Sequence, residues 1–257
     1  MEYIQERFGT NIDEINVLMT GDWHVGSSQY NSQIVDNALK ELESRPNGRI
    51  VLMGDLINAG IMHSVSNTYE ETMSPHDQID YVVEKLKPYK HKIVAAVGSN
   101  HSNRITKEVG INPTKMIMQR LGIGEKFQKW SVVIKWAFNK GTTDTFHIHG
   151  KTGSRYNRTI MKKVKDLRQI VDVDAYFHAH VHRLLVDDTD VIKTPDQRNM
   201  KINNKRYVYV TTGSSLDYDG SYAEASGMSA VLLGFPIMRI TGDRGNQEIN
   251  IDKITLD

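Results

Sequence analysis

Three short apolar runs alternate with three amphipathic segments in the first part of the chain. Residues 15–20, 49–54 and 92–98 are rich in aliphatic side chains and are bounded by turn residues, which is typical of buried strands. The segments that follow these runs carry apolar residues at helical spacing. Because strands that alternate with helices form parallel sheets covered by helices, this order predicts an α/β fold.

Two of the predicted helices have clear start signals. Ser74 precedes Pro75, and Asn112 precedes Pro113, so each pair supplies an N-cap followed by proline at the first helical position. Gly122 is a stop signal for the second of these helices.

From residue 130 onward the pattern is richer in strands. Residues 130–138 and 145–150 predict neighbouring strands, and residues 157–173 predict a helix with one apolar face. Further strands are predicted at residues 175–182, 206–214, 236–242 and 248–254. We expect this part of the chain to form a second sheet that packs against the first, within a single domain spanning residues 1–257.

The composition excludes several kinds of chemistry. The 257 residues include no cysteine, which excludes disulfides, thiolate metal sites and a cysteine nucleophile. Lys and Arg number 32 against 31 Asp and Glu, so the overall charge gives no signal for a polyanionic partner, although a local basic surface stays open. No apolar run approaches the roughly 18 residues of a membrane span. Residues 1–20 lack the basic region followed by an apolar stretch that marks a secretory signal peptide. We therefore expect a cytoplasmic protein without membrane contact.

Side chains that bind metal ions follow five of the predicted strands. They are Asp22 and His24, then Asp55, then Asn100, then His149, and finally His180 and His182. Ligands bind at the carboxyl ends of strands in open α/β sheets, so we expect these side chains to converge. Oxygen and nitrogen ligands without sulfur suit Mn²⁺, Fe or Zn²⁺. Seven candidates suit two ions about 3.5–4 Å apart that share a carboxylate and clamp a phosphoryl group.

The order of these motifs resembles the calcineurin-like metallophosphoesterases. Asp-x-His, Gly-Asp, Asn-His, His-Gly and His-x-His occur in that order between residues 22 and 182, about two thirds of the chain. The resemblance implies two packed mixed sheets flanked by helices, in a four-layer sandwich. The spacing of the remaining chain is similar to that of phage and prophage members of the family.

The resemblance also implies a role for each residue. It assigns Asp22, His24 and His182 to the first metal, Asn100, His149 and His180 to the second, and Asp55 to both. His101 would lie beside the scissile phosphate as an electrophile or as the proton donor to the leaving group. A metal-bound hydroxide would attack the phosphorus. Manganese is the first choice of metal, with iron, zinc and nickel as alternatives.

Two of the motifs depart from the family pattern, at three positions. Members usually have Gly-Asn-His followed by Asp or Glu, whereas here Ser99 replaces the glycine and Ser102 replaces the acid. Without that acid, a misoriented or less basic His101 would lower the rate or restrict the leaving groups. Ala179 replaces the glycine that usually precedes His180, and we expect this small residue to be tolerated.

Residues 151–168 are the one basic concentration, with seven basic residues against one acid. Such a charge run is usually a solvated helix face. Lys151 and Arg155 differ because they follow a proposed ligand in a glycine-containing loop, so they are candidates for contact with a phosphate or a nucleic-acid backbone. Arg104, just after the Asn-His motif, is a similar candidate.

Residues 56–75 form a long connection between the second motif and its helix. It would serve as a rim that limits the size of the substrate, as a dimer contact, or only as packing.

The second motif favours phosphodiesters over protein phosphomonoesters. Protein phosphatases of the superfamily carry Gly-Asp-x-Val-Asp-Arg-Gly, in which the arginine clamps phosphate, whereas residues 54–60 read Gly-Asp-Leu-Ile-Asn-Ala-Gly. We therefore expect a phosphodiesterase that acts on nucleotides or nucleic acid. One alternative is a DNA or RNA nuclease that works with a partner, and another is a low-activity or non-catalytic binding scaffold. The sequence leaves open whether the protein forms an oligomer.

Overall fold

The computed structural model of the protein describes residues 1–60, 68–138, 141–151, 153–196, 198–242 and 248–256. The strands are β1 Glu2–Arg7, β2 Glu14–Thr20, β3 Gly48–Leu52, β4 Ile93–Val97, β5 Phe127–Gln128, β6 Ser131–Phe138, β7 Gly141–Ile148, β8 Ala175–His178, β9 Leu184–Asp187, β10 Val191–Asp196, β11 Lys201–Arg206, β12 Val208–Thr212, β13 Gly234–Thr241 and β14 Glu248–Thr255. The helices are α1 Ser32–Ser44, α2 Pro75–Leu86, α3 Asn100–Val109, α4 Pro113–Arg120, α5 Asn157–Asp166 and α6 Tyr222–Ala225.

Two six-stranded mixed sheets form the centre of the molecule. The first has the order β14-β13-β2-β3-β4-β5, in which β2 to β5 run parallel and β13 pairs antiparallel with β2 and β14. The second has the order β1-β6-β7-β8-β12-β9 and contains both parallel and antiparallel pairs. The predicted fold class, two packed mixed sheets flanked by helices, is confirmed.

The central strands are buried on both faces. Ile15 and Val17 of β2 pack between the sheets, in a core that also contains Trp136 and Phe177 of the second sheet. Leu18 points the opposite way, into the core beneath α1, α2 and α4, because successive side chains alternate across a strand. Strands covered on both faces read as continuous apolar runs, which is why the sequence marks them clearly.

Helix α5 covers the outer face of the second sheet and completes the four layers. Val164 of α5 packs in a third core with Phe146, Tyr176 and Tyr209 of the sheet. The predicted helix continued to residue 173, but α5 ends at Asp166 and a short 3₁₀ turn follows it.

The helix starts that the caps predict are confirmed. Helix α2 begins at Pro75, and the Ser74 side chain accepts a hydrogen bond from the backbone of Asp77. Helix α4 begins at Pro113, and Asn112 caps it in the same way. None of the helices in the described ranges has the length and apolar character needed to cross a membrane.

Several segments differ from the sequence-based prediction. Strand β1 was not predicted, and it pairs with β6 as a largely exposed edge strand whose sequence has little apolar pattern. The polar connection expected at residues 194–205 lies largely in a hairpin of β10 and β11, whose mostly polar faces give no strand signal. Strands β13 and β14 extend the first sheet rather than the second. Within the long connection at 56–75, residues 61–67 lie outside the described residues.

Candidate metal centre

The structure brings the side chains at the strand ends together. The described residues contain three groups of potential ligands in which the ligand atoms lie within 4.8 Å of one another. They are Asp22, His24 and His182; His24, Asp55 and His101; and Asp55, His149 and His180. The first and third groups belong to the two predicted metal sites, and Asp55 connects them.

The backbone at these strand ends is left-handed. Eight non-glycine residues of the described chain have positive φ, and five of them are predicted ligands, with φ between 47° and 70°. Those five are Asp22, His24, Asp55, His180 and His182. Such a conformation costs about 1–3 kcal/mol at a non-glycine residue and persists only where the surroundings impose it. The fold therefore accepts backbone strain at the positions where these side chains leave the strands.

Trp23 holds the first of these turns. Its side chain is fully buried, and its indole N–H donates a hydrogen bond to Thr20 Oγ1 at 2.7 Å. The Ser215 hydroxyl donates to the Trp23 carbonyl at 3.2 Å. With Trp23 fixed in the core, the flanking Asp22 and His24 both reach the first ligand group.

The first ligand group has room for a cation between its donor atoms. Nε2 of His24 lies 3.1 Å from Nε2 of His182. Oδ1 of Asp22 is 3.4 Å from His182 Nε2 and 3.8 Å from His24 Nε2. That oxygen is buried without a hydrogen-bond partner, whereas Oδ2 accepts from the His180 backbone N–H at 2.9 Å. A divalent cation fits this arrangement because it would satisfy a buried charged oxygen that is otherwise costly.

Asp55 lies between the two ligand groups. Its Oδ1 accepts from the backbone N–H of His101 at 3.1 Å, which fixes the carboxylate plane. Its Oδ2 is 3.1 Å from His149 Nε2 and 3.9 Å from His24 Nε2. One carboxylate oxygen thus faces an imidazole of each group, the position that a shared ligand needs.

Asn100 joins the second group at the first residue of α3. Its Oδ1 lies 2.8 Å from His149 Nε2 and 3.0 Å from His180 Nδ1. Nδ1 of His149 lies 2.8 Å from the carbonyl of Met53. A proton on Nδ1 donates to that carbonyl, so a metal that binds at Nε2 would replace only the Nε2 proton and leave the ring oriented, the usual arrangement for a ligating histidine.

The two serines that depart from the family pattern have structural roles at the start of α3. Ser99 is the N-cap, and its hydroxyl accepts from the Ser102 backbone N–H at 3.5 Å. The Ser102 hydroxyl lies 2.6 Å from Thr114 Oγ1 of α4 and points away from the site. Ala179, the third departure, is buried in the core between the sheets.

The His101 ring is held by a backbone carbonyl in place of the missing acid. Nδ1 of His101 lies 2.5 Å from the carbonyl oxygen of Asn58, so Nδ1–H donates there. Nε2 then accepts from Nη2 of Arg104 at 3.1 Å. The expected misorientation of His101 is therefore not observed.

Asn58 and Glu71 belong to the site but were not among the predicted site residues, although Asn58 stands among the polar residues that follow the second strand. Oδ1 of Asn58 lies 3.2 Å from Nδ1 of His24, and its Nδ2 donates to Oε1 of Glu71 at 2.5 Å. Gln78 Nε2 donates to the other oxygen of Glu71 at 2.6 Å. Asn58 follows the Gly-Asp motif closely, which is a weak signal, whereas Glu71 lies in the long connection and has none.

The carboxylates and imidazoles of the centre shift one another's pKa values. Although burial opposes ionisation, His149 and His101 hold the pKa of Asp55 well below its ordinary value. Burial by itself would lower the pKa of His149, yet the carboxylate of Asp55 raises it to about 9. Burial and the neighbouring histidines His101 and His182 lower the pKa of His24 to about 3, so that ring is neutral and free to bind a metal.

Two further histidines lie beside the centre. His147 stacks on Phe177 with ring centroids 5.0 Å apart, and burial lowers its pKa to about 3, which makes it a neutral core residue. His178 is also buried, and its ring occupies the space next to Gly150. A Cβ on Gly150 would lie 2.0 Å from His178 Nε2, and φ there is +76°, so glycine is required after His149.

The three candidate substrate-binding residues lie in two different places. Arg104 is in the centre, where Nη1 is buried without a hydrogen-bond partner while Nη2 contacts His101. Lys151 and Arg155 are exposed on the surface, and Arg155 Nη1 is 3.4 Å from the carbonyl of Ser226.

Solved structures of phosphoesterases match this chain over most of its length. YfcE, a phosphoesterase from E. coli, is 14% identical with a TM-score of 0.44, and the match covers 93% of this chain and 100% of YfcE. The chain resembles the calcineurin-like phosphoesterases. A metallophosphoesterase from Sphaerobacter thermophilus is 14% identical with a TM-score of 0.43, covering 95% of this chain and 89% of that one.

Vacuolar Protein Sorting 29 from Cryptosporidium parvum also matches, at 15% identity and a TM-score of 0.42, covering 95% of this chain and 100% of that one. No protein-family model matches the chain, and no curated protein matches it.

Proposed function

We propose that the protein is a metal-dependent phosphoric ester hydrolase that holds two divalent ions, in a single domain over residues 1–257. The observation that carries this proposal is the position of Asp55, whose Oδ2 faces His149 on one side and His24 on the other. A carboxylate between two buried groups of oxygen and nitrogen ligands suits a pair of cations. Manganese is the first metal to test, with iron, zinc and nickel as alternatives.

The chain's own groups divide the work of the reaction. Divalent ions in such a centre supply Lewis acidity and an activated water. The ligands orient them: Asp22, His24 and His182 for the first ion, Asn100, His149 and His180 for the second, and Asp55 for both. Because these ligands are held by buried hydrogen bonds, little reorganisation is needed when substrate binds.

Arg104 and His101 act on the substrate. The free Nη1 of Arg104 donates to a phosphate oxygen, which gives this buried donor the partner it otherwise lacks. His101 is held through Nδ1 by Asn58, and its Nε2 would have to exchange the contact with Arg104 for a proton before it could polarise or protonate the ester oxygen. Ala59 occupies the place of the arginine that protein phosphatases of the superfamily carry, which favours a phosphodiester over a phosphoprotein.

The test is hydrolysis of bis(p-nitrophenyl) phosphate with Mn²⁺, with a chelated sample in parallel. Asp55→Asn should abolish both bound metal and activity, while His101→Asn should retain the metal and lower kcat. Asp13→Asn, at an exposed position, is the matched control and should match the original protein. Unchanged metal content in Asp55→Asn would refute the ligand assignment. Full metal content without turnover on any phosphoester would favour the scaffold alternative.

A further inference from the structure

Helix α5 and the loop before it form a local basic surface on a chain that is nearly neutral overall. Lys151, Arg155, Arg158, Lys162 and Lys163 are all exposed, and none of them pairs with a carboxylate within the described residues. Asp166, the one acid of this segment, forms no ion pair with these five side chains. The nearby Asp187 and Asp190 pair with Lys165 instead. These five positive charges therefore share one stretch of the surface.

Lys165 differs from its neighbours because it is neutralised locally. Its Nζ lies 2.9 Å from Asp187 and 2.9 Å from Asp190. Lys165 thus anchors α5 to the segment after β9, while the five unpaired cations remain available to a polyanion.

An open groove runs along α5 where these cations lie. It is lined by Arg158 and Lys162, by the ion pair of Lys165 and Asp187, and by Asn157, Thr159 and Met161. Arg158 and Lys162 are four residues apart, so they lie on the same side of the helix and can contact successive phosphates of one strand.

The basic surface is joined to the metal centre on its N-terminal side, at two points. Lys151 follows the predicted ligand His149 by two residues. At the start of α5, Asn157 Oδ1 accepts from Nη1 of Arg183 at 3.0 Å, and Arg183 directly follows the predicted ligand His182. A chain bound along α5 is therefore led toward the centre.

Exposed aromatic rings accompany the cations. Tyr156, at the N-cap of α5, is 76% exposed, and Tyr222 in α6 is 67% exposed. Arg155 contacts the carbonyl of Ser226, the residue directly after α6, so the two tyrosine-bearing segments are neighbours. Exposed rings beside cations are the combination that binds unpaired bases, which stack on the rings while the phosphates contact the cations.

We propose that the α5 surface, formed by Lys151, Arg155, Tyr156, Arg158 and Lys162, binds single-stranded nucleic acid and presents one of its phosphodiesters to the metal centre. This inference rests on the proposed function and specifies the substrate class. A single strand fits better than a duplex because the bases of a duplex are already stacked and cannot use exposed tyrosine rings.

The first experiment measures binding of a fluorescent phosphorothioate oligothymidylate to the Mn²⁺-loaded protein over a range of salt concentrations. Each phosphate contact contributes about 0.7 to the slope of log K against log salt for single strands. The double variant Arg158→Gln/Lys162→Gln should therefore lower the slope by about 1.4. Lys40→Gln/Lys115→Gln removes two exposed lysines from α1 and α4 and is the matched control, which should leave the slope unchanged.

The second experiment separates the rings from the charges. Tyr156→Ala should weaken oligothymidylate binding roughly 5- to 150-fold, the loss expected for one stacked base, and Tyr156→Phe should restore it because the ring is retained. Tighter binding of a duplex than of the single strand would overturn the proposed substrate class.

Kinetics distinguish this inference from the proposed function. The ratio of kcat/KM for an oligothymidylate to kcat/KM for bis(p-nitrophenyl) phosphate should fall in Arg158→Gln/Lys162→Gln, with the metal content measured in the same samples. An unchanged ratio and an unchanged salt slope would overturn the α5 surface even if the protein is an active hydrolase. Binding that depends on Arg158 and Lys162, without hydrolysis of either substrate, would support the surface and overturn the proposed function.

Discussion

Replacing Asn58 by alanine should loosen the first metal site without removing any ligand. The change deletes the oxygen beside His24 Nδ1 and the amide that donates to Glu71. The carbonyl of residue 58 still accepts from His101, so that ring stays in place. We expect a weaker metal site around a largely intact fold.

The size of the effect follows from the two contacts. A hydrogen bond to a charged acceptor is worth about 1.5–3 kcal/mol, so the metal-free Asn58→Ala protein should lose stability in that range, mainly because Glu71 loses a donor. Loss of the group that orients a ligating histidine typically weakens metal binding about 10- to 100-fold. The Kd for Mn²⁺ should rise by that factor.

The variant Glu71→Ala separates the effect of the Asn58–Glu71 hydrogen bond from the effect of the Asn58–His24 contact. In the original protein it removes the acceptor for Asn58, and in the Asn58→Ala protein it removes a carboxylate that has already lost that donor. The double variant should therefore be less destabilised than the sum of the single variants, with a coupling of about 0.5–3 kcal/mol. Calorimetric Mn²⁺ titration and thermal unfolding give both quantities, and Asn37→Ala on the exposed face of α1 is the control. A Kd for Mn²⁺ that is unchanged in Asn58→Ala would refute the link between Asn58 and His24.

Three further predictions concern other parts of the centre. Ser99→Ala removes the N-cap of α3 and should lower the free energy of unfolding by about 0.5–2 kcal/mol, measured by urea unfolding; no change would contradict the capping role. Gly150→Ala should lower the melting temperature far more than Gly110→Ala. The φ angle is similar at both positions, but of the two only Gly150 has a neighbour, His178, within reach of a new Cβ. Equal melting temperatures of the two variants would disprove this. Arg104→Gln should raise KM for bis(p-nitrophenyl) phosphate and leave the bound Mn²⁺ unchanged, whereas loss of metal would show that Arg104 supports the ligands instead.

The sequence indicated the candidate metal ligands because they combine two local signals. Asp22, His24 and Asp55 each follow a buried strand that is visible as an apolar run, and the carboxyl ends of parallel strands lie at one edge of a sheet. Neither signal depends on distant contacts. The alternation of strands and helices predicted the fold class for the same reason.

The remaining features depend on tertiary contacts that no local pattern contains. Asn58 and Glu71 are 13 residues apart in a segment without regular periodicity, and their hydrogen bond forms only when the fold brings Glu71 to the side of Asn58, which itself contacts His24. The orientation of His101 by a backbone carbonyl is hidden in the same way, since every residue has a carbonyl. Strand β1 and the hairpin of β10 and β11 are largely exposed, so they lack the apolar periodicity that marks buried strands.

The left-handed backbone at Asp22, His24, Asp55, His180 and His182 implies a trade-off between durability and chemistry. Glycine adopts this conformation without penalty, so glycine at one such position would relax the backbone while removing a side chain that the centre needs. Selection for folding alone would favour that exchange, and selection for the centre opposes it. Under the proposed function, a lineage that no longer binds metal should therefore drift toward glycine at these turns and gain thermal resistance as it loses the site.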